Sequence, residues 1–102
     1  MSKQILVVGA GKSSSYLLHY LLGKSGEKDL RLVIADKHPD QLPKAVSDHP
    51  RTEIVSLDIA RAEARRKAVG ASDIVISMLP AALHIDIARD CLEFGKHLVT
   101  AS

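Results

Sequence analysis

A glycine turn joins the first apolar run of this chain to a segment with helical spacing. Residues 5–8 are Ile-Leu-Val-Val, and Gly9-Ala10-Gly11-Lys12-Ser13-Ser14 follows directly. A buried strand that enters a helix through such a turn brings unpaired backbone N–H groups and the positive end of the helix dipole to one point. The turn therefore predicts a phosphate cradle near the start of the chain.

The residues of this turn have separate predicted roles. Gly9 allows the tight turn, and Gly11 lets the backbone approach a pyrophosphate closely. Ser14 stands where the third glycine of the common G-x-G-x-x-G pattern falls, and its hydroxyl can donate to a phosphate oxygen. With Lys12 and Ser13, these are the candidate pyrophosphate contacts, and the alternative is a tight turn without a ligand.

An acidic residue ends the second apolar run. Asp36 follows Leu-Val-Ile-Ala at residues 32–35. A carboxylate at this point can accept hydrogen bonds from the adenosine ribose and repels a 2′-phosphate, so it favours NAD over NADP. Lys37 acts in the opposite sense, because an ammonium can pair with that phosphate. The alternative is that Asp36 is a solvated residue at a strand end.

Strand and helix signals alternate along the chain, which predicts right-handed βαβ units and a parallel sheet covered on both faces. We expect a Rossmann-like three-layer α/β sandwich with five strands in the order 3-2-1-4-5 and a ligand crevice between strands one and four. The predicted strands are Gln4–Val8, Arg31–Ala35, Thr52–Leu57, Asp73–Ser77 and His97–Thr100. The predicted helices are Ser13–Leu22, ended by Gly23 and Gly26, then Asp40–Val46, a helix from the N-cap Asp58 to Gly70, and Ala82–Phe94.

The sequence ends directly after the fifth predicted strand, whereas a complete dinucleotide fold continues with a further helix and strand. We therefore expect residues 1–102 to be one NAD(P)-binding domain, truncated after strand five and without its C-terminal substrate domain. Strand five would then lie at an exposed sheet edge and offer a surface for a homodimer.

Composition narrows the classes of partner. The 14 basic and 12 acidic residues leave a net charge of +2, which gives no argument for nucleic acid or an anionic membrane. The chain has no apolar run near the roughly 20 residues of a membrane span. The single cysteine, Cys91, and the lack of a signal peptide at Met1 predict a cytoplasmic protein. His19, His38, His49 and His97 have no metal spacing among them.

Two further segments are candidates for cofactor contact. Ser77-Met78-Leu79-Pro80 ends the fourth predicted strand, and its backbone is expected to pass the ribose and pyrophosphate. Asp58-Ile59 follows the third predicted strand and is expected to contact the adenine edge, although Asp58 also fits a helix N-cap.

Other polar residues have plainer interpretations. His84 fits an exposed or capping histidine in the first turn of the last predicted helix, and Cys91 fits a packing residue. On that helix Ile85, Ala88 and Leu92 share one face. No arrangement of nucleophile and base is supported, so catalytic residues cannot be named. A basic cluster fits a solvated helix face: Arg61, Arg65, Arg66 and Lys67.

The chain resembles the N-terminal NAD(P)-binding domain of the saccharopine dehydrogenases, especially the glutamate-forming enzyme, over nearly its whole length. The segments that carry the resemblance are the glycine turn, Val55-Ser56-Leu57-Asp58-Ile59, Asp73-Ile74-Val75-Ile76-Ser77-Met78-Leu79-Pro80 with His84 and Cys91, and Leu98-Val99-Thr100-Ala101-Ser102. Ala81 departs from the family, which usually has tyrosine there.

The resemblance implies an oxidoreductase that moves hydride between NAD(P) and the carbon of a secondary amine or imine in lysine metabolism. It also implies that Gly9, Gly11, Ser14, Asp36, Asp58 and the Ser77–Pro80 turn contact the cofactor, with Thr100 and Ser102 close to the nicotinamide. The alternatives are a nucleotide-sensing regulatory module without catalysis and an interaction domain that kept the fold but lost the ligand.

Overall fold

Five strands form one parallel sheet in a computed structural model that describes residues 3–9, 19–21, 23–24, 29–38, 44 and 48–100. The strand order is β3-β2-β1-β4-β5, and every pairing is parallel. The predicted fold and strand order are therefore confirmed. The strands are β1 Lys3–Val8, β2 Leu30–Asp36, β3 Thr52–Ser56, β4 Ile74–Ser77 and β5 His97–Thr100.

The two central strands are buried on both faces, which explains their unbroken apolar runs. Residues 5–8 of β1 and 32–35 of β2 are all buried. Alternate side chains enter two core clusters on opposite faces of the sheet. One cluster contains Ile5, Val7, Leu32, Ile34 and Ile76. The other contains Leu6, Val8, Val33, Ala35, Leu57, Val69, Val75, Ile87 and Cys91.

Two helices are described in full, α1 over Ala62–Gly70 and α2 over His84–Phe94, with a 3₁₀ turn at Ala81–Leu83 leading into α2. Both helices cover the same face of the sheet, since Val69 of α1 and Ile87 of α2 enter the same core cluster. Residues 19–21, 23, 24 and 44 are also helical. The predicted end of the first helix at Gly23 is wrong, because Gly23 is itself helical.

The face that α2 turns to the core is not the predicted one. Ile85 and Leu92 are 58% and 84% exposed, whereas Ile87, Asp90 and Cys91 are buried. The buried face includes a charged residue, so its spacing is not visible as an apolar pattern. The packing role predicted for Cys91 is confirmed.

An arginine of α1 neutralises that buried acid. Arg65 Nε lies 2.5 Å from Asp90 Oδ2, and both side chains are largely buried. The predicted solvated basic face is therefore wrong for Arg65, although Arg61 and Lys67 are exposed as expected.

The start of α1 and the end of α2 are each defined by a turn. The N-cap of α1 is Arg61 and not Asp58, which corrects the predicted start of that helix. Asp58 instead shapes the preceding turn, because its Oδ1 accepts a hydrogen bond from Ala60 N–H at 3.0 Å. Gly95 ends α2 as predicted, with φ 67° and with Lys96 N–H donating to Cys91 O.

The amino end of β1 is tied to the turn that precedes β4. Gln4 N–H donates to Asp73 Oδ2 and Asp73 N–H donates to Gln4 O, both at 2.9 Å. Gln4 Nε2 also donates to Ser72 Oγ at 3.1 Å. These contacts close the sheet at the end opposite its carboxyl edge. In the part of the chain that the structure describes, no helix has the length and apolar character needed to cross a membrane.

Candidate dinucleotide-binding cleft

A cleft of about 340 Å³ opens at the carboxyl ends of β1, β2 and β3. This edge is where open parallel sheets bind their ligands, since the connections diverge there. The segment after β4 and the start of α2 close the other side. The lining residues are Val8, Gly9, Ala35, Asp36, Lys37, Leu57, Asp58, Ile59, Ala60, Leu79, Leu83 and Asp86.

Gly9 forms the floor of this cleft where β1 ends. Its φ is +79°, a backbone conformation that side chains rarely adopt. A Cβ atom on Gly9 would also lie 2.6 Å from Cδ2 of Leu79. Gly9 N–H donates to Ala35 O at 2.9 Å, which holds the turn against the end of β2. Both the positive φ and the close approach of Leu79 therefore require glycine at this position. This agrees with the tight turn predicted at Gly9.

Asp36 and Lys37 stand together on the cleft at the end of β2. Asp36 Oδ1 accepts a hydrogen bond from His38 N–H at 3.1 Å, an arrangement that fixes the orientation of the carboxylate. The Asp36 carbonyl accepts from Leu57 N–H at 3.0 Å, so the segment after β3 is held beside the acid. Lys37 is exposed at the same rim. The cleft thus presents a carboxylate and an ammonium side by side.

The segment 57–60 forms one wall of the cleft. Leu57 is buried and Ile59 is half-buried against the core, so this wall is largely apolar. The exposed carboxylate of Asp58 lies between them in sequence, and Arg65 Nη1 donates to the Ile59 carbonyl at 2.9 Å. A wall of this composition suits a flat heteroaromatic ring flanked by hydroxyl groups.

The segment Ser77–Pro80 at the end of β4 lines the cleft through one of its four residues, and its predicted backbone contact with the cofactor stays a prediction. Leu79 lines the cleft, whereas Met78 packs with the core cluster on the other face and Pro80 is exposed at the start of the 3₁₀ turn. Ser77 is fully buried, and its Oγ lies 2.7 Å from Nδ1 of His84. The serine hydroxyl is therefore engaged with His84, and His84 is neither simply exposed nor a helix cap.

The remaining predicted contacts lie away from this cleft or outside the described residues. Thr100 is exposed at the end of β5, level with Ser77 in the strand register. Gly11, Lys12, Ser13, Ser14 and Ser102 lie outside the described residues. Their proposed contacts with the cofactor stay predictions.

Six lining residues were not among the predicted contacts: Val8, Ala35, Leu57, Ala60, Leu83 and Asp86. Leu83 and Asp86 reach the cleft because the 3₁₀ turn carries the start of α2 over the carboxyl edge. Asp86 Oδ2 lies 3.9 Å from Arg65 Nη1. The only sequence signal for Leu83 and Asp86 is that they follow Leu79-Pro80 at the end of a strand. With Asp36 and Asp58, Asp86 makes the described part of the cleft rich in carboxylates, which suits donor groups such as ribose hydroxyls and an exocyclic amine.

The described residues offer neither a metal site nor a reactive thiol. Among the described residues, no group of three or more His, Cys, Asp or Glu side chains is placed to hold a metal ion. Burial raises the pKa of the Cys91 thiol, and the nearby Asp90 charge adds to this shift. The thiol therefore stays protonated and packs in the core.

An open parallel sheet with a glycine floor and a polar cleft at its carboxyl edge defines a Rossmann-like nucleotide-binding domain. Solved structures agree. The apo saccharopine dehydrogenase (L-Glu forming) from Saccharomyces cerevisiae superposes with a TM-score of 0.83 at 22% identity, over 99% of this chain and 22% of that one. A short-chain dehydrogenase/reductase from Veillonella parvula in complex with NADP gives 0.78 at 18% identity, over 100% and 48%. At these identities the likeness concerns the fold.

The family is shown by sequence. Residues 5–102 match the family described as the saccharopine dehydrogenase NADP binding domain, and the chain belongs to this family. The chain is 33% identical over 101 residues to the mitochondrial alpha-aminoadipic semialdehyde synthase of Mus musculus, with 98% of this chain and 10% of that protein covered. It is 28% identical over 98 residues to the saccharopine dehydrogenase [NADP(+), L-glutamate-forming] of Schizosaccharomyces pombe, with 96% and 21% covered.

These comparisons confirm the predicted resemblance and identify a nicotinamide dinucleotide-binding domain of an oxidoreductase family. The chain spans only about a tenth to a fifth of the length of these relatives. The family description names NADP, which is at odds with the preference for NAD inferred from Asp36. Lys37 lines the same cleft beside that acid. The cytoplasmic location stays a prediction.

Proposed function

We propose that this chain is the NADP(H)-binding domain of a saccharopine dehydrogenase-like oxidoreductase that acts on a secondary amine or imine in lysine metabolism. The observation that carries the proposal is the cleft itself, in which Gly9, Asp36 and Asp58 meet at the ends of three adjacent strands. The family match covers all of these positions.

The described residues fit the adenosine half of a dinucleotide. The apolar wall of Leu57 and Ile59 offers a surface for adenine, and the oriented carboxylate of Asp36 can accept from ribose hydroxyls. A pyrophosphate is expected to pass the backbone turn that begins at Gly9, where the positive φ and the close contact with Leu79 both require glycine. The bound cofactor would supply or accept hydride at its nicotinamide ring.

The choice between NADP and NAD depends on Asp36 and Lys37. A carboxylate at the ribose repels a 2′-phosphate, and the hydrogen bond that Asp36 Oδ1 accepts from His38 N–H orients this carboxylate without removing its charge. Lys37 is exposed on the same rim and has a long, flexible stem. We propose that Lys37 pairs with the 2′-phosphate while Asp36 serves the ribose.

Calorimetric titration with NADP, NAD and ADP-ribose tests this proposal. We expect NADP to bind more tightly than NAD, and Lys37→Ala to weaken NADP about fivefold to tenfold while leaving NAD nearly unchanged. Lys67→Ala is the matched control, since Lys67 is an exposed lysine on α1 that does not line the cleft. Absence of saturable binding of all three ligands at millimolar concentration, by a folded sample, would refute the proposed function.

A further inference from the structure

Arg65 stands where three segments of the chain meet. From α1 its Nε donates to Asp90 Oδ2 of α2 at 2.5 Å. Its Nη1 donates to the Ile59 carbonyl at 2.9 Å and lies 3.9 Å from Asp86 Oδ2. One guanidinium therefore contacts α2 twice and the turn before α1 once.

The burial of this arginine sets limits on what it does. The side chains of Arg65 and Asp90 are 11% and 3% exposed. A buried ion pair brings little net stability, because desolvation offsets the attraction, and it persists where further hydrogen bonds satisfy its remaining donors. The Ile59 carbonyl supplies one such acceptor. Only the planar fork of a guanidinium can serve an acid on one helix and a carbonyl on a separate turn in this way.

The contact with Ile59 reaches the cleft. Ile59 lines the cleft from the turn 58–60, and Asp86 lines it from the start of α2. Arg65 is anchored on α2 by Asp90 and donates to the Ile59 carbonyl, so it ties the wall 58–60 to the helix that carries Asp86. Among the described residues, the other hydrogen bonds of the turn are internal, since Ala60 N–H and Arg61 N–H both donate to Asp58, to its Oδ1 and its carbonyl respectively. These internal bonds shape the turn but do not hold it against α2.

We propose that Arg65 is a positioning residue for cofactor binding, which holds the wall 58–60 at the spacing from Asp86 that the adenosine half requires. The inference rests on the proposed function, because the ligand is the dinucleotide of the preceding section. It assigns a binding role to a residue that lies under the cleft wall and does not line the cleft.

The neighbouring Arg66 provides a matched control. It also bridges α1 to α2, through two hydrogen bonds to Glu93 at 2.6 and 2.9 Å and a contact of 3.5 Å with Asp90 Oδ1. Its guanidinium lies 5.0 Å from the ring centroid of Phe94. In the part of the chain that the structure describes, these contacts are with α2 and not with the turn 58–60. Loss of Arg66 therefore removes a bridge between the helices without touching the wall.

The first measurement is amide hydrogen exchange of the 102-residue chain without ligand. We expect Arg65→Met to speed exchange at Ala60 and Arg61 about tenfold relative to β1 amides, and Arg66→Met to leave the ratio unchanged. Arg65→Lys keeps the charge without the fork, so it should fold where Arg65→Met does not and should still lose protection of the turn. Wild-type protection in both Arg65 variants would overturn the proposal.

The second measurement is affinity for ADP-ribose and for nicotinamide mononucleotide. We expect Arg65→Met or Arg65→Lys to weaken ADP-ribose about tenfold and to spare nicotinamide mononucleotide, with Arg66→Met within about twofold of wild type. An equal loss in Arg66→Met, or unchanged affinity in the Arg65 variants, would overturn the role of Arg65. If the wild type binds no ADP-ribose, the proposed function fails and the cofactor role of Arg65 with it, while hydrogen exchange still decides whether Arg65 anchors the turn.

Discussion

Leu79 covers the α-carbon of Gly9 so closely that a Cβ atom there would lie 2.6 Å from its Cδ2 and 3.0 Å from its Cγ. Gly9 directly follows β1, and Leu79 follows the end of the adjacent strand β4. Met78 N–H donates to Val8 O at 2.8 Å and holds the two strand ends in this relation. The floor of the cleft is therefore set by a contact between two neighbouring strands.

Gly9→Ala is expected to destabilise the fold by about 1–3 kcal/mol and to weaken dinucleotide binding, because alanine resists the positive φ and its methyl group displaces Leu79. Urea unfolding followed by circular dichroism measures the first effect. Gly70→Ala is the control, since Gly70 ends α1 and has no atom within 4 Å of an added Cβ. We expect Gly70→Ala to be neutral or stabilising by less than about 1 kcal/mol, and an equal loss in both variants would contradict the argument.

Ser77 and His84 should be coupled energetically, because Oγ and Nδ1 are 2.7 Å apart and Ser77 is fully buried. Ser77→Ala is expected to cost about 1 kcal/mol of stability. A double-mutant cycle with His84→Ala should give a coupling energy of about 0.5 kcal/mol or more. His97→Ala, on the exposed strand β5, serves as the comparison. Strict additivity of Ser77→Ala with His84→Ala would show that the pair contributes no interaction energy.

The buried Cys91 thiol predicts a loss of stability at alkaline pH. Burial raises its pKa, so below the unfolded value of about 8.5 both states hold the proton, and stability falls as the pH rises from there towards the folded pKa. The free energy of unfolding should therefore decline between about pH 8 and 10, and less so in Cys91→Ala. Thiol titration of the native chain at pH 8 should be far slower than in urea. Equal rates, or identical pH profiles, would contradict this assignment.

Strand β5 is expected to mediate self-association, since it lies at the edge of the sheet and Val99 is 52% exposed. Val99→Lys should lower the apparent mass in light scattering at high protein concentration, because a charge on this face opposes pairing of two edges. Ala64→Lys, at an exposed position on α1, is the charge-matched control, because it also adds one positive charge. A monomer at millimolar concentration would count against the prediction, and so would a dimer that is unaffected by Val99→Lys.

The sequence predicts the sheet well, because strands buried on both faces appear as continuous apolar runs and β1, β2 and β4 are of this kind. The buried faces of the helices were harder to predict from the sequence. The apolar spacing of Ile85 and Leu92 indicates a core face, yet the core receives Asp90 between Ile87 and Cys91. A charge enters the core there because Arg65 comes from another helix to meet it, and that partnership is not local in sequence.

For the cleft, the residues at strand ends were predictable and those that arrive by packing were not. Gly9, Asp36 and Asp58 follow apolar runs and line the cleft together, as the topology requires. The position of Asp86 on the cleft and the contact of Arg65 with the cleft wall depend on the angle at which the 3₁₀ turn at Ala81–Leu83 sets α2. No local sequence motif predicts this angle. The contact between the Ser77 hydroxyl and His84 was not predicted either, and the expected passage of the cofactor along the Ser77–Pro80 backbone stays a prediction.

The link between Gln4 and Asp73 has a consequence for the order of folding. These residues lie 69 positions apart, so β1 and β4 become neighbours only after a long loop has closed. Contacts of such sequence separation form late and slow the search for the native state. Leu79 lines the cleft and follows β4, so the cleft is complete only after β4 has paired with β1. A dinucleotide should therefore bind only after this loop has closed. In stopped-flow experiments the ligand is then expected to slow unfolding and to leave the refolding rate unchanged.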